Sequence, residues 1–343
     1  MNLDIITKNT NILADVSTLT NADWLSLRKK GCGGSEVAGI FGKSNYASPL
    51  SIYMDKMSDE IQELDNDYIF WGKTLEPIIR EKFPAKFKKA TGIDIFVEEF
   101  PFMMQSKSDP FMLANIDGLV ELQQDYKFSL PVGDGQWEEY FISAGLTGIM
   151  EIKTGSGFTA KNWKDNSLPD NYFLQTQSYM AVTGLSYAFV VALIDKTLLW
   201  RYVPRDEEII AIIKARVNQF WTENVLAKIP PAPIGSDVDT DVLKGLYPIG
   251  DAESSINLDE LIEKNPENKV EYCKIAESRF QYKSLAEEKK NIESEMAAHK
   301  QNIMAFMGNK EYLFTGGKKV SWKMQAGSTY QVVRQPQRVM RIG

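Results

Sequence analysis

From Gly92 to Val203 the chain carries a succession of short extended runs interrupted by one helical segment, and this order constrains its fold more than any other feature. GIDIFVEEFPFM (92–103), FMLANIDGLVEL (111–122) and LTGIMEIKTG (146–155) read as strands. QQDYKFSLPVGDGQWEEYFISAG (123–145) predicts a hairpin turning at Gly133-Asp134-Gly135. DNYFLQTQSYMAVTG (170–184) is a helix closed by Gly184, and YAFVVALID (187–195) with TLLWRYV (197–203) forms a second hairpin. Helices are expected on both flanks. NADWLSLRKKGCGGSEVAGIFG (21–42) reads as a helix, a Gly-rich turn at Gly31, Gly33 and Gly34, and a second helix starting near Ser35, after a polar N-terminal arm. Ser48-Pro49 supplies an N-cap and a first-turn proline for PLSIYMDKM. WGKTLEPIIREKFPAKFKKATG (71–92) predicts a long helix ended by Gly92, which Pro84 must kink or break. RDEEIIAIIKARVNQFWTENVLAK (205–228) is a long amphipathic helix. Strand pairs alternating with helices imply an α/β or α+β core with a mixed sheet.

IPPAPIGSD (229–237) has the composition of a linker, which divides the chain into residues 1–231 and an extension, 232–343. Residues 267–307 lack Pro and Gly and place Leu285, Ile292, Met296 and Ile303 among Glu and Lys. That pattern predicts a long helix, either half of a helical hairpin or coiled coil or one packed on its own domain. A hairpin turning at Gly316-Gly317 follows, then a tail with Arg334, Arg338 and Arg341.

The side-chain inventory narrows the chemistry. The only histidine is His299, and the cysteines, Cys32 and Cys273, are far apart in sequence. A zinc ribbon, an iron–sulfur cluster, a Ser–His or Cys–His nucleophile pair and any His-based metal site are thereby excluded. Hard-metal chemistry on carboxylates remains, or no catalysis. A net charge of −7 argues mildly against non-specific nucleic-acid binding over the whole surface, yet allows it in a locally basic groove. No run reaches the roughly 18 apolar residues of a membrane span, and the N-terminus lacks a signal-peptide layout, so an intracellular protein without membrane contact is expected.

The central signal is Asp117 in ANIDGLV followed by Glu151-Ile152-Lys153 in IMEIKTG. Side chains two apart on a strand share a face, with Cα atoms roughly 6–7 Å apart, so Glu151 and Lys153 project together while Ile152 points into the apolar layer behind. With Asp117 on an adjacent strand, two carboxylates and an ammonium converge. Phosphodiester hydrolysis uses such a set: carboxylates for Mg²⁺, which polarises the phosphate and lowers the pKa of an attacking water, and a lysine that orients that water or stabilises developing negative charge. The Ile152 carbonyl offers a further oxygen ligand. A Glu-x-Lys pair alone also describes a solvated strand face. Glu76 shares a helical stripe with Ile79 and Phe83, and Gln175 one with Tyr172, Tyr179 and Val182. Polar groups on core-facing stripes need partners, which such a cluster supplies; a snorkelling boundary position is the alternative.

The ordered set Trp24-x-x-Leu27-Arg28, Gly33-Gly34-Ser35-Glu36, WGKTLEP around Glu76, IDG around Asp117, EIK around Glu151 and LQTQSYMAVTG around Gln175 resembles the YqaJ-type viral recombinase family. These are relatives of the phage lambda exonuclease within the PD-(D/E)xK nuclease superfamily. The similarity runs from about Trp24 to Pro231. It implies an α/β restriction-endonuclease-like core, a mixed central sheet flanked by helices, with a helical C-terminal extension. It implies a Mg²⁺-dependent deoxyribonuclease, with Mn²⁺ as a substitute, that digests linear double-stranded DNA from its ends, 5′→3′, in phage-type recombination. By the same resemblance Asp117, Glu151 and the Ile152 carbonyl bind metal, and Lys153 acts on water or phosphate. Glu76 supports the metal site, Gln175 completes it, and Arg28 and Ser35 hold the terminal phosphate. The anion-favouring amides of a helix start suit that last role, although an ordinary tight turn reads the same way. A ring-shaped homo-oligomer, a single-strand annealing partner and the cytoplasm of a bacterial host are implied as well.

Two departures stand out. Ile116 replaces the proline that usually precedes the first aspartate, and the 123–144 insertion is long enough to reshape DNA access or an oligomer interface. Asp109-Pro110 is a decoy aspartate. Trp163, Trp200, Trp221 and Trp322 are candidates for base stacking or for core packing; Lys161, Lys164, Lys318 and Lys319 for phosphate contact or for solvated faces. Two rival functions remain: an endonuclease of nicking or restriction type, and a non-catalytic DNA-binding or assembly protein acting through its coiled-coil arm.

Overall fold

The computed structural model describes residues 1, 3–61, 66–133, 135–251, 254–327 and 338–342. It separates into two compact units, Met1–Leu243 and Lys244–Gly343. In the first, the elements run α1 (Asp4–Asn9), β1 (Thr10–Asp15), α2 (Asn21–Arg28), β2 (Cys32–Gly33), α3 (Gly34–Ile40), α4 (Pro49–Met57) and α5 (Asp67–Thr91). They continue as β3 (Ile95–Glu98), β4 (Phe102–Ser106), β5 (Met112–Ala114), β6 (Gly118–Leu122), β7 (Tyr126–Gly133), β8 (Gln136–Ile142) and β9 (Thr147–Gly155). Then come α6 (Asp170–Thr183), β10 (Tyr187–Ile194), β11 (Thr197–Pro204) and α7 (Glu207–Gln219). α8 (Asp237–Leu246) runs across the division between the units.

The described residues form a five-stranded mixed sheet, β11-β10-β9-β6-β3, in which only β9 and β10 are parallel. Its inner strands β6, β9 and β10 bury both faces. Along β10, Ala188, Val190 and Ala192 enter one core while Phe189 and Val191 enter another. The second core lies under α5, where Ile79, Phe83 and Phe87 meet Phe189 and Trp200; Phe87 and Phe189 have ring centroids 5.5 Å apart. The β7–β8 ribbon covers part of this face, with Tyr126 5.9 Å from Phe87 and Phe128 5.0 Å from Tyr202. The 123–144 insertion is therefore packing material for the α5 side. The first core is closed by α3, α6 and α7. The architecture is thus α/β, with mixed sheets flanked by helices.

Several expectations are corrected. Pro84 does not break α5, which runs through both Pro77 and Pro84 to Gly92 in the left-handed conformation. An interior proline costs about 3 kcal/mol, and burial of Ile79, Phe83 and Phe87 on one stripe offsets it. The run 92–103 is two strands, β3 and β4, in different sheets; Pro101 has no N–H to continue a ladder. The run 111–122 likewise splits into β5 and β6 around Asn115-Ile116-Asp117. The N-terminal arm is structured: Ile6 is fully buried, and β1 pairs with β4 in a four-stranded sheet, β1-β4-β5-β2. The amphipathic helix after β11 ends at Gln219 and widens into a π-helical turn, Phe220–Leu226. In the 229–237 segment the Ile234 N–H donates to Asp239 Oδ2 at 2.8 Å. Asp134, in the expected turn of the β7–β8 ribbon, and Arg334, in the tail, lie outside the described residues.

The second unit contains α9 (Leu258–Lys264), α10 (Lys269–Met307) and the hairpin β12 (Tyr312–Thr315)–β13 (Lys318–Ser321). α10 is continuous over 39 residues and exposes Leu285, Ile292, Met296 and Ile303; only Met307 is buried. No helix among the described residues is long and apolar enough to cross a membrane.

Candidate active site

Strand alternation puts Ile149, Glu151 and Lys153 of β9 on the α6 side of the sheet, and Met150 and Ile152 on the α5 side. β6 pairs antiparallel with β9 up to Gly118–Met150, so Asp117, the residue just before β6, comes level with Glu151. It is not on the strand itself. Gly118 has to be glycine, since a Cβ there would lie 2.7 Å from the Glu98 carbonyl oxygen. The Asp117 carboxylate folds over the end of the ladder, where Oδ2 accepts the Ile152 N–H at 2.7 Å. The Ile152 carbonyl leaves the strand on the same edge as that N–H and faces the same opening.

Glu151 is 2% exposed. Its Oε1 accepts from Lys153 Nζ at 2.6 Å and from Gln175 Nε2 at 2.7 Å, and Gln175 also donates to the Tyr179 hydroxyl at 2.9 Å. Glu151 Oε2 is buried with no hydrogen-bond partner among the described residues. Lys153 sits over the Tyr172 ring, 4.9 Å from its centroid. On α5, Glu76 accepts from Arg80 one turn on; Arg80 Nε donates to the Asp117 carbonyl at 3.0 Å, and Nη1 pairs with Glu99 at 3.1 Å.

Burial and crowding of like charge dominate the titration of this cluster. Glu151 is pushed up to about 8 by burial and then by Asp117, against the pull of Lys153. Glu76 rises to about 7 by burial and by Asp117, with Arg80 opposing. Asp117 is also raised by burial, although Lys153, the Ile152 N–H and Arg80 counter it. Burial would lower Lys153, but Glu151 and Asp117 together outweigh it and raise the ammonium. Two carboxylates, one of which (Glu151) keeps a buried oxygen without a partner among the described residues, together with a backbone carbonyl make a donor set that fits a hard divalent cation. Mg²⁺ in particular takes one or two carboxylates and keeps several waters. Among the described residues, no group of three His, Cys, Asp or Glu side chains has metal-binding geometry.

Arg28 and Ser35 line the same cleft. Arg28 lies 4.8 Å over the Trp24 ring and donates through Nη2 to Ser35 Oγ at 3.1 Å. The amides at the start of α3 are only partly open, because the Gly33 N–H donates to Glu36 Oε2 at 2.7 Å. Glu36 is fixed in turn by the buried Lys56 at 2.7 Å. Gly34 lets α3 approach α6, since a Cβ would fall 2.4 Å from the Tyr179 ring.

Arg28, Ser35, Glu76, Asp117, Glu151, Ile152, Lys153 and Gln175 all line one cleft. Sequence reasoning missed Arg80, whose link to Asp117 spans 37 residues and leaves no local pattern. The decoy Asp109 is held elsewhere, by Lys214 at 2.9 Å and Ser108 at 2.7 Å. Trp163 is buried, Trp200 and Trp221 are half-buried against the two cores, and Trp322 is exposed. Lys161, Lys164, Lys318 and Lys319 are all exposed.

Comparison with known proteins finds that residues 23–186 match the YqaJ-like viral recombinase domain. The chain is 27% identical over 320 residues to the uncharacterized protein YqaJ of Bacillus subtilis (strain 168), covering 92% of this chain and 87% of that protein. Among solved structures it is similar to an alkaline exonuclease from Laribacter hongkongensis, with 23% identity, a TM-score of 0.44, and coverage of 66% of this chain and 99% of that one. It is also similar to a phage related exonuclease from Haemophilus somnus 129PT, with 13% identity, a TM-score of 0.36, and coverage of 60% and 99%.

Proposed function

We propose that this chain, which carries a YqaJ-like viral recombinase domain over residues 23–186, is a divalent-metal-dependent exonuclease acting on the ends of linear duplex DNA. One observation carries the reading: Asp117, Glu151 and Lys153 converge in a single cleft, with a buried oxygen of Glu151 left unpartnered. Asp117, Glu151 and the Ile152 carbonyl would hold Mg²⁺ or Mn²⁺. Once bound, the ion supplies Lewis acidity toward a phosphoryl oxygen.

The remaining work falls to the chain itself. Lys153, kept charged by its carboxylate neighbours, orients a water or stabilises the negative charge developing on the phosphate. Gln175 fixes the rotamer of Glu151 by donating to Oε1, and Oε2, unpartnered among the described residues, would be the oxygen to hold a cation. Glu76 adds negative potential beside Asp117 and is steadied by Arg80. Arg28 and Ser35 present a guanidinium and a hydroxyl to a terminal phosphate. In this reading residues 1–231 are the nuclease domain and 232–343 an accessory extension. The enzyme resects 5′→3′ in phage-type recombination, as a homo-oligomer, beside a single-strand annealing protein in the cytoplasm of a bacterial host.

Linear duplex labelled at one end, with either its 5′ or its 3′ terminus blocked, tests the proposal alongside a covalently closed circle. Mg²⁺-dependent release of nucleotides from the linear substrate, stopped by a blocked 5′ end and absent from the circle and from Glu151→Gln, is expected. Cleavage of the circle would make the protein an endonuclease, and digestion by Glu151→Gln at the normal rate would overturn the site.

A further inference from the structure

We propose that a second cleft, adjoining the candidate active site, binds the bases of a single DNA strand by stacking them on Tyr46, Tyr68 and Trp71. These rings come from two elements, the loop between α3 and α4 and the first turns of α5, yet line one cleft. They are 89%, 88% and 54% exposed, so packing does not account for them. Large aromatic rings gathered on one wetted surface are what unpaired bases stack on, since every base has a π-face.

The cleft is continuous with the active site. Thr154, next after Lys153 on β9, lines both. Tyr172 forms part of the floor; its ring is 4.9 Å from Lys153 Nζ and 5.7 Å from the buried Trp163 ring. A strand with a phosphate at Lys153 therefore enters the cleft with its next nucleotides. The charges there favour bases over phosphates: Lys43 is accompanied by Asp67 and Asp195, which gives no positive surplus. Asn162 and Asn171 bring carboxamides suited to base edges. The occupant inferred is unpaired DNA, with its backbone turned to solvent. Its direction rests on the nuclease reading; its chemistry does not.

The test uses the full chain without divalent metal, so that nothing is cut, and measures by fluorescence anisotropy the binding of a short oligothymidylate and of an abasic strand of equal length. The wild type is expected to bind the thymidylate strand about tenfold or more tightly than the abasic one. Tyr46→Ala combined with Trp71→Ala should erase that ratio, and Trp71→Phe should largely keep it. Equal binding of the two strands by the wild type, or an unchanged ratio in the double variant, would overturn the proposal. The ratio should persist in Glu151→Gln. A chain that shows the base-dependent ratio but cuts no DNA with Mg²⁺ refutes the nuclease reading and retains the cleft. A chain that cuts in a Glu151-dependent way without the ratio refutes the cleft alone.

Discussion

The two faces of β9 are built from alternate residues of one strand and have opposite properties. Met150 and Ile152 enter an apolar layer with Phe83, Phe87 and Phe189, where each group is complementary to its neighbours. On the other face Glu151 is buried and Lys153 half-buried, with a surplus of negative charge and a Glu151 oxygen that has no partner among the described residues. The difference teaches where stability and chemistry reside. The α5 face supplies cohesion, and that cohesion supports a face on which buried carboxylates are held together at a cost.

That contrast can be broken or sharpened by substitution. Lys153→Ala should lower hydrolysis by about a hundred- to thousandfold or more while leaving the unfolding midpoint almost unchanged, as measured by single-turnover kinetics and urea titration. Phe83→Ala, on the opposite face, should do the reverse: a stability loss of about 3–5 kcal/mol with the rate per folded molecule preserved. Arg80→Gln should weaken Mn²⁺ binding by about ten- to a hundredfold in calorimetry with the metal alone, because it releases the Asp117 carbonyl and Glu76 together. An unchanged affinity would show that Arg80 only links α5 to the loop. The smallest effect concerns pH. Glu151 titrates near 8 in the fold against about 4.5 as a free side chain, so the metal-free protein binds more protons folded than unfolded in that interval. Its stability from this group is full below about 4.5 and is lost as pH rises through about 8. Glu151→Gln removes the titration, so its thermal midpoint should gain on that of the metal-free wild type progressively as pH rises from about 4.5 to about 8, and no further above it.

Much of the site was legible because its signals are local. The period of a strand put Glu151 and Lys153 on one face and Ile152 on the other, and the stripe of α6 marked Gln175 as a polar group facing inward. Asp117 was identified but placed on a strand, whereas it sits just outside β6. Nothing local distinguishes a ladder's last residue from the one beyond it. Arg80 was hidden because its i,i+4 pairing with Glu76 reads as an ordinary solvated helix pair, while the bond that ties it to the site, to the Asp117 carbonyl, spans 37 residues. The persistence of α5 through Pro84 was equally illegible, since it depends on side chains from β10 and β11 that no helical window contains. The spatial order β11-β10-β9-β6-β3 does not follow sequence order at β9–β6, so short-range patterns could not supply it.

The bond from the Ile152 amide to Asp117 has one more consequence. A single carboxyl group clamps the end of the β6–β9 ladder with one oxygen and has a second to offer a cation. Anything that draws the group toward the cation therefore tugs on the seam between two strands. Occupancy of the cleft would be written into the isotope-exchange lifetime of one peptide proton, which makes Ile152 a built-in gauge of whether the site is loaded.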